Sequence, residues 1–189
     1  MNIKNLLVGE RINEDQFVGK NAGQTRHRGL EIGLSYHWNI SKDIQLTPFV
    51  NYTLTDHSFL EFIDEGDDFS GNPLTGVPKQ RSTSGIQFRL FENFYWNTTH
   101  QHVGKIPLTN AADLYSDPFT VFNTRLGYQK KLSEHFTIGV DLGVNNLFDK
   151  VYAQSVLINT QGFGGREPRY FYPGDERNYY GSLRLGYKF

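Results

Sequence analysis

Along residues 179–189, apolar and polar side chains alternate one for one. Tyr179, Gly181, Leu183, Leu185, Tyr187 and Phe189 share one parity, and Tyr180, Ser182, Arg184, Gly186 and Lys188 share the other. A strand sends successive side chains to opposite faces, whereas a helix of period 3.6 would mix these two sets. The pattern predicts a terminal strand with an apolar, aromatic face and a cationic one. The same alternation recurs upstream. Leu30, Ile32, Leu34, Tyr36 and Trp38 oppose Glu31, Gly33, Ser35 and His37. Ile44, Leu46, Val50, Tyr52 and Leu54 oppose Gln45, Thr47, Asn51 and Thr53. Ile86, Phe88 and Leu90 oppose Gln87 and Arg89, and Phe122, Leu126 and Tyr128 oppose Asn123, Arg125 and Gln129. Phe136, Ile138, Val140, Leu142, Val144 and Phe148 oppose Thr137, Gly139, Asp141, Gly143 and Asn145 over residues 136–149. Residues 93–101 alternate less cleanly, and a short strand is expected over residues 2–8. The sum is about eight strands and no helix.

The connections alternate as well. Short ones are predicted at residues 40–43, 91–93 and 132–135, and long ones at 9–23, 59–80, 104–118 and 155–177. Short turns on one side and long loops on the other are the habit of an outer-membrane barrel, with the short turns in the periplasm. The rhythm sets a direction: the last strand runs inward and leaves Phe189 at the periplasmic rim. A strand of about ten residues also suits a tilted crossing of the bilayer, and aromatic residues recur at strand ends, as at Tyr36, Trp38, Tyr128, Tyr179, Tyr187 and Phe189. A soluble β-sandwich would alternate too, with its apolar face inward.

Composition favours the membrane reading. Mean hydropathy is only −0.52, yet 15% of residues are aromatic, with 15 Phe and 11 Tyr, and Gly adds 19 more. Alternating lipid-facing and lumen-facing side chains give a low mean hydropathy with many aromatics. The net charge of −1 gives no argument for nucleic acid, and the absence of cysteine removes disulfides and thiolate metal sites. No apolar run reaches the roughly 18 residues of a spanning helix. The first eight residues lack the apolar core and cleavage site of a signal peptide. An exported protein without one is expected to be a fragment of a longer chain.

Charged residues on the polar faces, Glu31, Arg89, Arg125, Asp141 and Arg184, fit a wet lumen, because an Arg in hydrocarbon costs about 2–4 kcal/mol at the midplane. They are expected to pair with one another or with a domain filling the lumen. His100 and His102 share a strand face, and imidazole suits transition metals, but no third ligand has a place beside them. They read as polar residues at the outer rim. Asp64, Glu65, Asp67 and Asp68 lack the spacing of a calcium loop and read as a solvated surface. Gly162, Phe163, Gly164 and Gly165 precede no helix, so they form no phosphate cradle and read as a mobile loop. Arg166, Arg169, Tyr170 and Tyr172 follow, residue types suited to an anionic ligand on an outer loop, or to packing at the loop base. No catalytic, cofactor-binding or metal constellation emerges.

Several segments carry a family resemblance. Residues 144–152, Val-Asn-Asn-Leu-Phe-Asp-Lys-Val-Tyr, resemble the "NLFDKxY" segment of TonB-dependent outer-membrane receptors. Residues 169–180 look like the penultimate loop and last strand of that family, which ends in an aromatic residue, as here at Phe189. Arg28-Gly29-Leu30-Glu31 resembles its "RGxE" strand start, Val77-Pro78-Lys79-Gln80-Arg81 is similar to its "xPxHR" segment, and Gly104-Lys105-Ile106-Pro107 falls where these receptors begin a comparable loop. The resemblance implies that residues 1–189 are the C-terminal part of an all-β transmembrane antiparallel barrel, about eight strands of the 22 that surround a plugged lumen. The plug domain, the N-terminal strands and a TonB box are not recognisable in the sequence. The implied role is uptake at the bacterial outer membrane of a scarce ligand, above all a ferric siderophore or other iron complex, by a transporter that is not an enzyme. Its implied partners are outer-membrane lipid, TonB through the missing plug, the ligand, and the barrel-assembly machinery, which would read Tyr187 and Phe189 as a C-terminal signal. Two other readings remain open from the residues alone: a complete small eight-stranded outer-membrane barrel, adhesive or structural, and a soluble β-sandwich binding module.

Overall fold

A computed structural model describes residues 1–5, 7–11, 16–21, 23–64, 66–91, 93–162 and 164–189. In chain order the strands are β1 (Asn2–Lys4), β2 (Leu7–Arg11), β3 (Phe17–Asn21), β4 (Gln24–Ser35), β5 (Trp38–Asn39), β6 (Ile44–Glu61), β7 (Ile63–Asp64), β8 (Asp67–Asp68), β9 (Gln80–Leu90), β10 (Phe94–Val103), β11 (Phe119–Lys131), β12 (Phe136–Asn145), β13 (Ala153–Val156), β14 (Phe171–Pro173) and β15 (Asn178–Tyr187). One large antiparallel sheet runs in sequence order, β1-β4-β6-β9-β10-β11-β12-β15, with β5 also paired to β6. Each neighbour follows its predecessor in the chain, the up-and-down order of a barrel wall. No pairing joins β15 back to β1 or β4 among the described residues. The wall is open, which disfavours the closed eight-stranded barrel.

The register places every predicted apolar parity on one surface. Leu54 pairs with Leu30, Tyr52 with Ile32 and Val50 with Leu34. Leu126 pairs with Trp96 and with Leu142, and Leu142 with Gly181. Direct cross-strand partners share a face, so the apolar stripes fuse into one surface. That surface is uncovered: Leu34, Leu142, Leu183 and Leu185 are each more than 60% exposed. A soluble sandwich would bury this face. Here it is the surface that meets lipid. From Ile44 to Leu54, at about 3.3 Å per residue and a tilt of about 40°, the strand climbs roughly 25 Å, the height of an apolar band. Aromatic residues gather at its lower rim, where the rings of Phe136 and Tyr187 lie 5.4 Å apart and those of Tyr187 and Phe189 5.1 Å apart.

Several boundaries differ from the sequence reading. The strand expected over residues 2–8 stops at Lys4, because Asn5 turns at φ 58° and the chain leaves for the β2–β3 hairpin. Strand β4 begins well before Leu30, and β6 runs on to Glu61. Within β6, Pro48 lacks an amide proton, and it sits where β4 has ended; its carbonyl accepts from Tyr36 N at 3.1 Å. The missing donor thus falls opposite a break in the partner, where a ladder bond is not required. Strand β12 ends at Asn145 rather than at residue 149, since Asn146 and Asp149 both take positive φ. Strand β15 ends at Tyr187, and Phe189 projects beyond it, fully exposed. The ladder is extended by the short turn: Lys188 N donates to His135 O at 2.9 Å.

Less regular strand β10 has a physical cause. Its lipid-side residues include Thr98, His100 and His102, yet each finds a partner on a neighbouring strand. His100 Nδ1 is bonded to Ser84 Oγ at 3.2 Å and His102 Nδ1 to Thr120 Oγ1 at 2.9 Å. Trp96 Nε1 donates to Thr124 Oγ1 at 2.8 Å, and Thr98 Oγ1 lies 3.0 Å from the same oxygen. Polar side chains at membrane depth are tolerated when they satisfy one another.

Candidate functional site

The inner face of the wall centres on Asp141. Tyr95 Oη donates to its Oδ1, Arg125 Nε donates to the same oxygen at 3.0 Å, and Ser182 Oγ donates to Oδ2 at 3.0 Å. Arg125 also donates from Nη2 to Tyr95 Oη at 2.7 Å, and Arg184 stands 3.6 Å from Oδ2. Four strands, β10, β11, β12 and β15, are tied by one carboxylate. The expected pairing among lumen charges thus holds for Arg125, Asp141 and Arg184. Glu31 and Arg89 have no ion pair among the described residues. Arg89 and Arg125, with His37, Gln45, Gln87 and Asn97, line a polar recess of about 470 Å³ low on this face.

Gly127 makes the hub possible, and Gly143 is covered in the same way. A methyl group at Gly127 would collide with the ring of Tyr95, and one at Gly143 with the ring of Tyr180. The tyrosines lie flat across the glycines of the next strand, which brings Tyr95 Oη over to Asp141. Cross-strand covering of a glycine by an aromatic ring also pins register.

Above the band, the long loops fold on one another. The loop over residues 62–79 contains the β7–β8 hairpin, and its Phe62 and Leu74 form a small apolar core with Phe59 near the end of β6, with Phe69 and Val77 against it. A polar node at Asn110 joins three loops. Thr75 Oγ1 donates to Asn110 Oδ1 at 2.7 Å, Asn72 Nδ2 donates to Asn110 O at 2.9 Å, and Asn110 N donates to Asn159 Oδ1 at 3.0 Å. Asn159 N in turn donates to Leu108 O at 2.8 Å, and Gly76 N to Pro107 O at 2.9 Å.

The segment over residues 144–152 is a knot at the outer end of β12. Asn146 is 2% exposed and sits at φ 49°, a conformation that Asn tolerates better than most residues. Its amide nitrogen donates to Lys150 O at 2.9 Å and to Asp175 O at 3.0 Å, and its carbonyl accepts from Lys150 N at 2.8 Å. Asp149 accepts from Arg177 N at 2.8 Å and pairs with its guanidinium at 3.6 Å. The motif therefore clamps the start of the last long loop to its end.

The residues singled out from sequence fall in different places. Arg166 and Arg169 are exposed on the loop between β13 and β14. That loop is not structureless, because β13 and β14 pair as a hairpin. Tyr170 is tied into it: its hydroxyl donates to Thr160 O at 3.4 Å and its carbonyl accepts from Leu157 N at 2.8 Å. Tyr172 lies on β14, 55% exposed. The glycine run at residues 162–165 spans Phe163, which lies outside the described residues, as does Glu65 in the acidic run. Asp64, Asp67 and Asp68 belong to the short β7–β8 hairpin. The Ser70 hydroxyl, and then its amide, hold the Asp68 carboxyl below the usual carboxylate range. No cluster of three potential metal ligands occurs among the described residues, and His100 and His102 are each engaged by a hydroxyl. The Asn110 node went unseen in the sequence, because its members lie 35 and 49 residues apart and none belongs to a periodic segment.

A family model described as TonB dependent receptor-like, β-barrel, matches residues 1–147. Solved structures share the fold. The siderophore receptor PiuA from Acinetobacter baumannii aligns over 96% of this chain at 17% identity and TM-score 0.64. The ferric-catecholate import receptor Fiu from E. coli K12 aligns over all of it at 20% identity and TM-score 0.61. The copper transporter OprC aligns over 99% at 17% identity and TM-score 0.62. The chain spans about a quarter of each of these structures, 24%, 24% and 27% of their lengths.

Proposed function

The chain belongs to the TonB-dependent receptor-like β-barrel family, and on that premise we propose that it forms part of the wall of a receptor that imports a ferric siderophore or another iron complex. The family is one of outer-membrane transport proteins, and the outer membrane is where this wall resides. The observation that carries the reading is the two-sided wall itself: an uncovered apolar face, a charged inner face organised on Asp141, and outer loops folded together above it. Such a wall serves to enclose a path through the bilayer.

In this reading the plug, its contact with TonB and the remaining strands lie outside these 189 residues. Arg166, Arg169, Tyr170 and Tyr172 contact the ligand from the last long loop. Support comes from the exposure of both arginines, free to pair with an anionic complex, and from the hairpin that holds the two tyrosines beside them. Tyr187 and Phe189, at the periplasmic end, serve as the signal read during barrel assembly. Iron is favoured over copper because PiuA and Fiu are siderophore and ferric-catecholate receptors, and because no soft ligand set of Met or Cys lines the described wall; the chain has one Met and no Cys.

Uptake of radiolabelled ferric siderophore tests the proposal. Cells carrying these residues within an intact receptor should accumulate the label in an energy-dependent manner, and Arg166→Ala with Arg169→Ala should weaken binding. Cells expressing residues 1–189 alone should accumulate none. Energy-dependent uptake by the fragment alone, or full uptake of copper but not of iron complexes by the intact receptor, would contradict it.

A further inference from the structure

His27 on β4 and His57 on β6 stand directly opposite one another in the sheet. They share the parity of Glu31 and Thr53, so both belong to the inner face of the wall. Both lie beyond Leu54, on the outer side of the apolar band. Three residues of strand at about 3.3 Å each, tilted by about 40°, put His57 roughly 8 Å above Leu54. The main-chain groups of the two histidines point away from each other: His27 N donates to Met1 O at 2.8 Å, and Leu74 N donates to His57 O at 3.0 Å. They are therefore a non-hydrogen-bonded pair, the arrangement in which opposite side chains come closest. Their ring centres accordingly lie 4.6 Å apart, with the planes tilted by 51°.

The surroundings suit a bound cation. Thr25 and Phe59, themselves cross-strand partners and both fully buried, close the outer side of the pair. On its inner side the next residue of β4 on this face is Gly29, which has no side chain to fill the space. Thr25 Oγ1 lies 2.9 Å from His27 Nε2. A buried hydroxyl at one ring nitrogen fixes the imidazole and leaves Nδ1 for a ligand, the kind of supporting contact that metal-bound histidines carry. Burial, and then His57, hold the His27 imidazole below its ordinary value, so it is neutral at neutral pH, the form that ligates a metal. No cation shares this face between Thr25 and Glu31 or between Thr53 and Phe59 to repel an ion. Two imidazole nitrogens at about 2.0 Å from one ion stand roughly 3 Å apart, a span that rings this close can meet.

We propose that His27 and His57 together bind a divalent transition-metal ion, copper(II) most tightly, at the outer end of the inner face, with its remaining positions open to water or to a donor atom of a molecule held there. Copper leads because the affinity of nitrogen ligands for divalent first-row metals peaks at that ion. Two protein ligands make an open site, since a closed structural site takes four. The site is distinct from the Asp141 hub, which lies on other strands, and it does not depend on the identity of the imported ligand.

Copper(II) titration of the intact receptor, purified in mild detergent and stripped with a chelator, tests it, with electron spin-echo envelope modulation to count the imidazoles on the bound ion. The unmodified protein should show two. His27→Gln and His57→Gln should each leave one imidazole and weaken binding by more than about a hundredfold, because loss of a supporting contact alone costs about 10–100-fold. Thr25→Val, which removes only that supporting hydroxyl, should keep both imidazoles and bind about 10–100-fold more weakly. His100→Gln with His102→Gln, on the lipid face, should bind as the unmodified protein does. Heat-modifiable migration of every variant confirms that the barrel is intact. A single imidazole in the unmodified protein, undiminished affinity in either His27→Gln or His57→Gln, or loss of the two-imidazole signal in the lipid-face variant would each overturn the proposal.

Discussion

Asp141 is 3% exposed, yet two guanidinium groups, a phenol and a hydroxyl converge on its carboxylate. A charge so placed is stable only while its partners remain, and removing one partner strands the others without compensation. Asp141→Ala leaves Arg125 with Tyr95 alone and leaves Ser182 without its acceptor. Because the Arg125 side chain is 39% exposed, water recovers part of the loss, and the expected cost is about 1–3 kcal/mol. Asp141→Asn keeps an acceptor and should lose less. Urea unfolding of the barrel in detergent micelles measures both, and an unchanged midpoint for Asp141→Ala would contradict the account of the hub. The polar parity of Asp141, Arg125 and Arg184 was legible in the sequence, since alternation alone places each on the inner face. That Tyr95 belongs with them was not. Its reach depends on Gly127 lying beside it on β11, and glycine carries no hydrophobic signal from which such a contact could be read.

Strand faces could be read in advance because the side-chain period is two and the lipid side tolerates few exceptions. Strand ends could not. Strand β6 continues to Glu61 because it pairs with β4 above the membrane, where nothing demands apolar residues. Strand β10 was obscured because its lipid face carries Thr98, His100 and His102, which close hydrogen bonds with Thr124, Ser84 and Thr120 on adjacent strands. A pattern of single residues hides partners that belong to neighbouring strands. The faces themselves make a sharp prediction on β15. Leu183→Arg puts a cation on the lipid side midway along the strand, which costs about 2–4 kcal/mol, and should block insertion into the outer membrane. Arg184→Leu, one residue on, loses only a 3.6 Å contact with Asp141 and should insert normally. The heat-modifiable band of membrane fractions on gels reports insertion, and equal behaviour of the two variants would refute the assignment of faces.

At the scale of the whole molecule the usual arrangement is turned inside out. Buried apolar side chains such as Phe59, Phe62, Leu74 and Leu108 lie in the outer loops or at their base, while the wall shows its Leu, Val and aromatic residues to the exterior. The wall was readable from alternation, and the family from short segments such as that over residues 144–152. Asn146 explains why that segment can be recognised: a buried amide with three main-chain bonds at positive φ admits few other residues. The folded outer loops were not readable. Their hairpins, β2–β3, β7–β8 and β13–β14, and the Asn110 node are set by contacts between distant segments with no period of their own. All of this rests on one claim, that the odd-numbered side chains of residues 179–187 meet lipid and the even-numbered ones meet water or protein. Spin-label scanning of this strand in the intact receptor, reconstituted in bilayers, tests it most directly. Oxygen accessibility should peak at 179, 181, 183, 185 and 187, and nickel-chelate accessibility should be lowest at those same positions. A flat profile, or one in which the even positions meet lipid, would contradict the account.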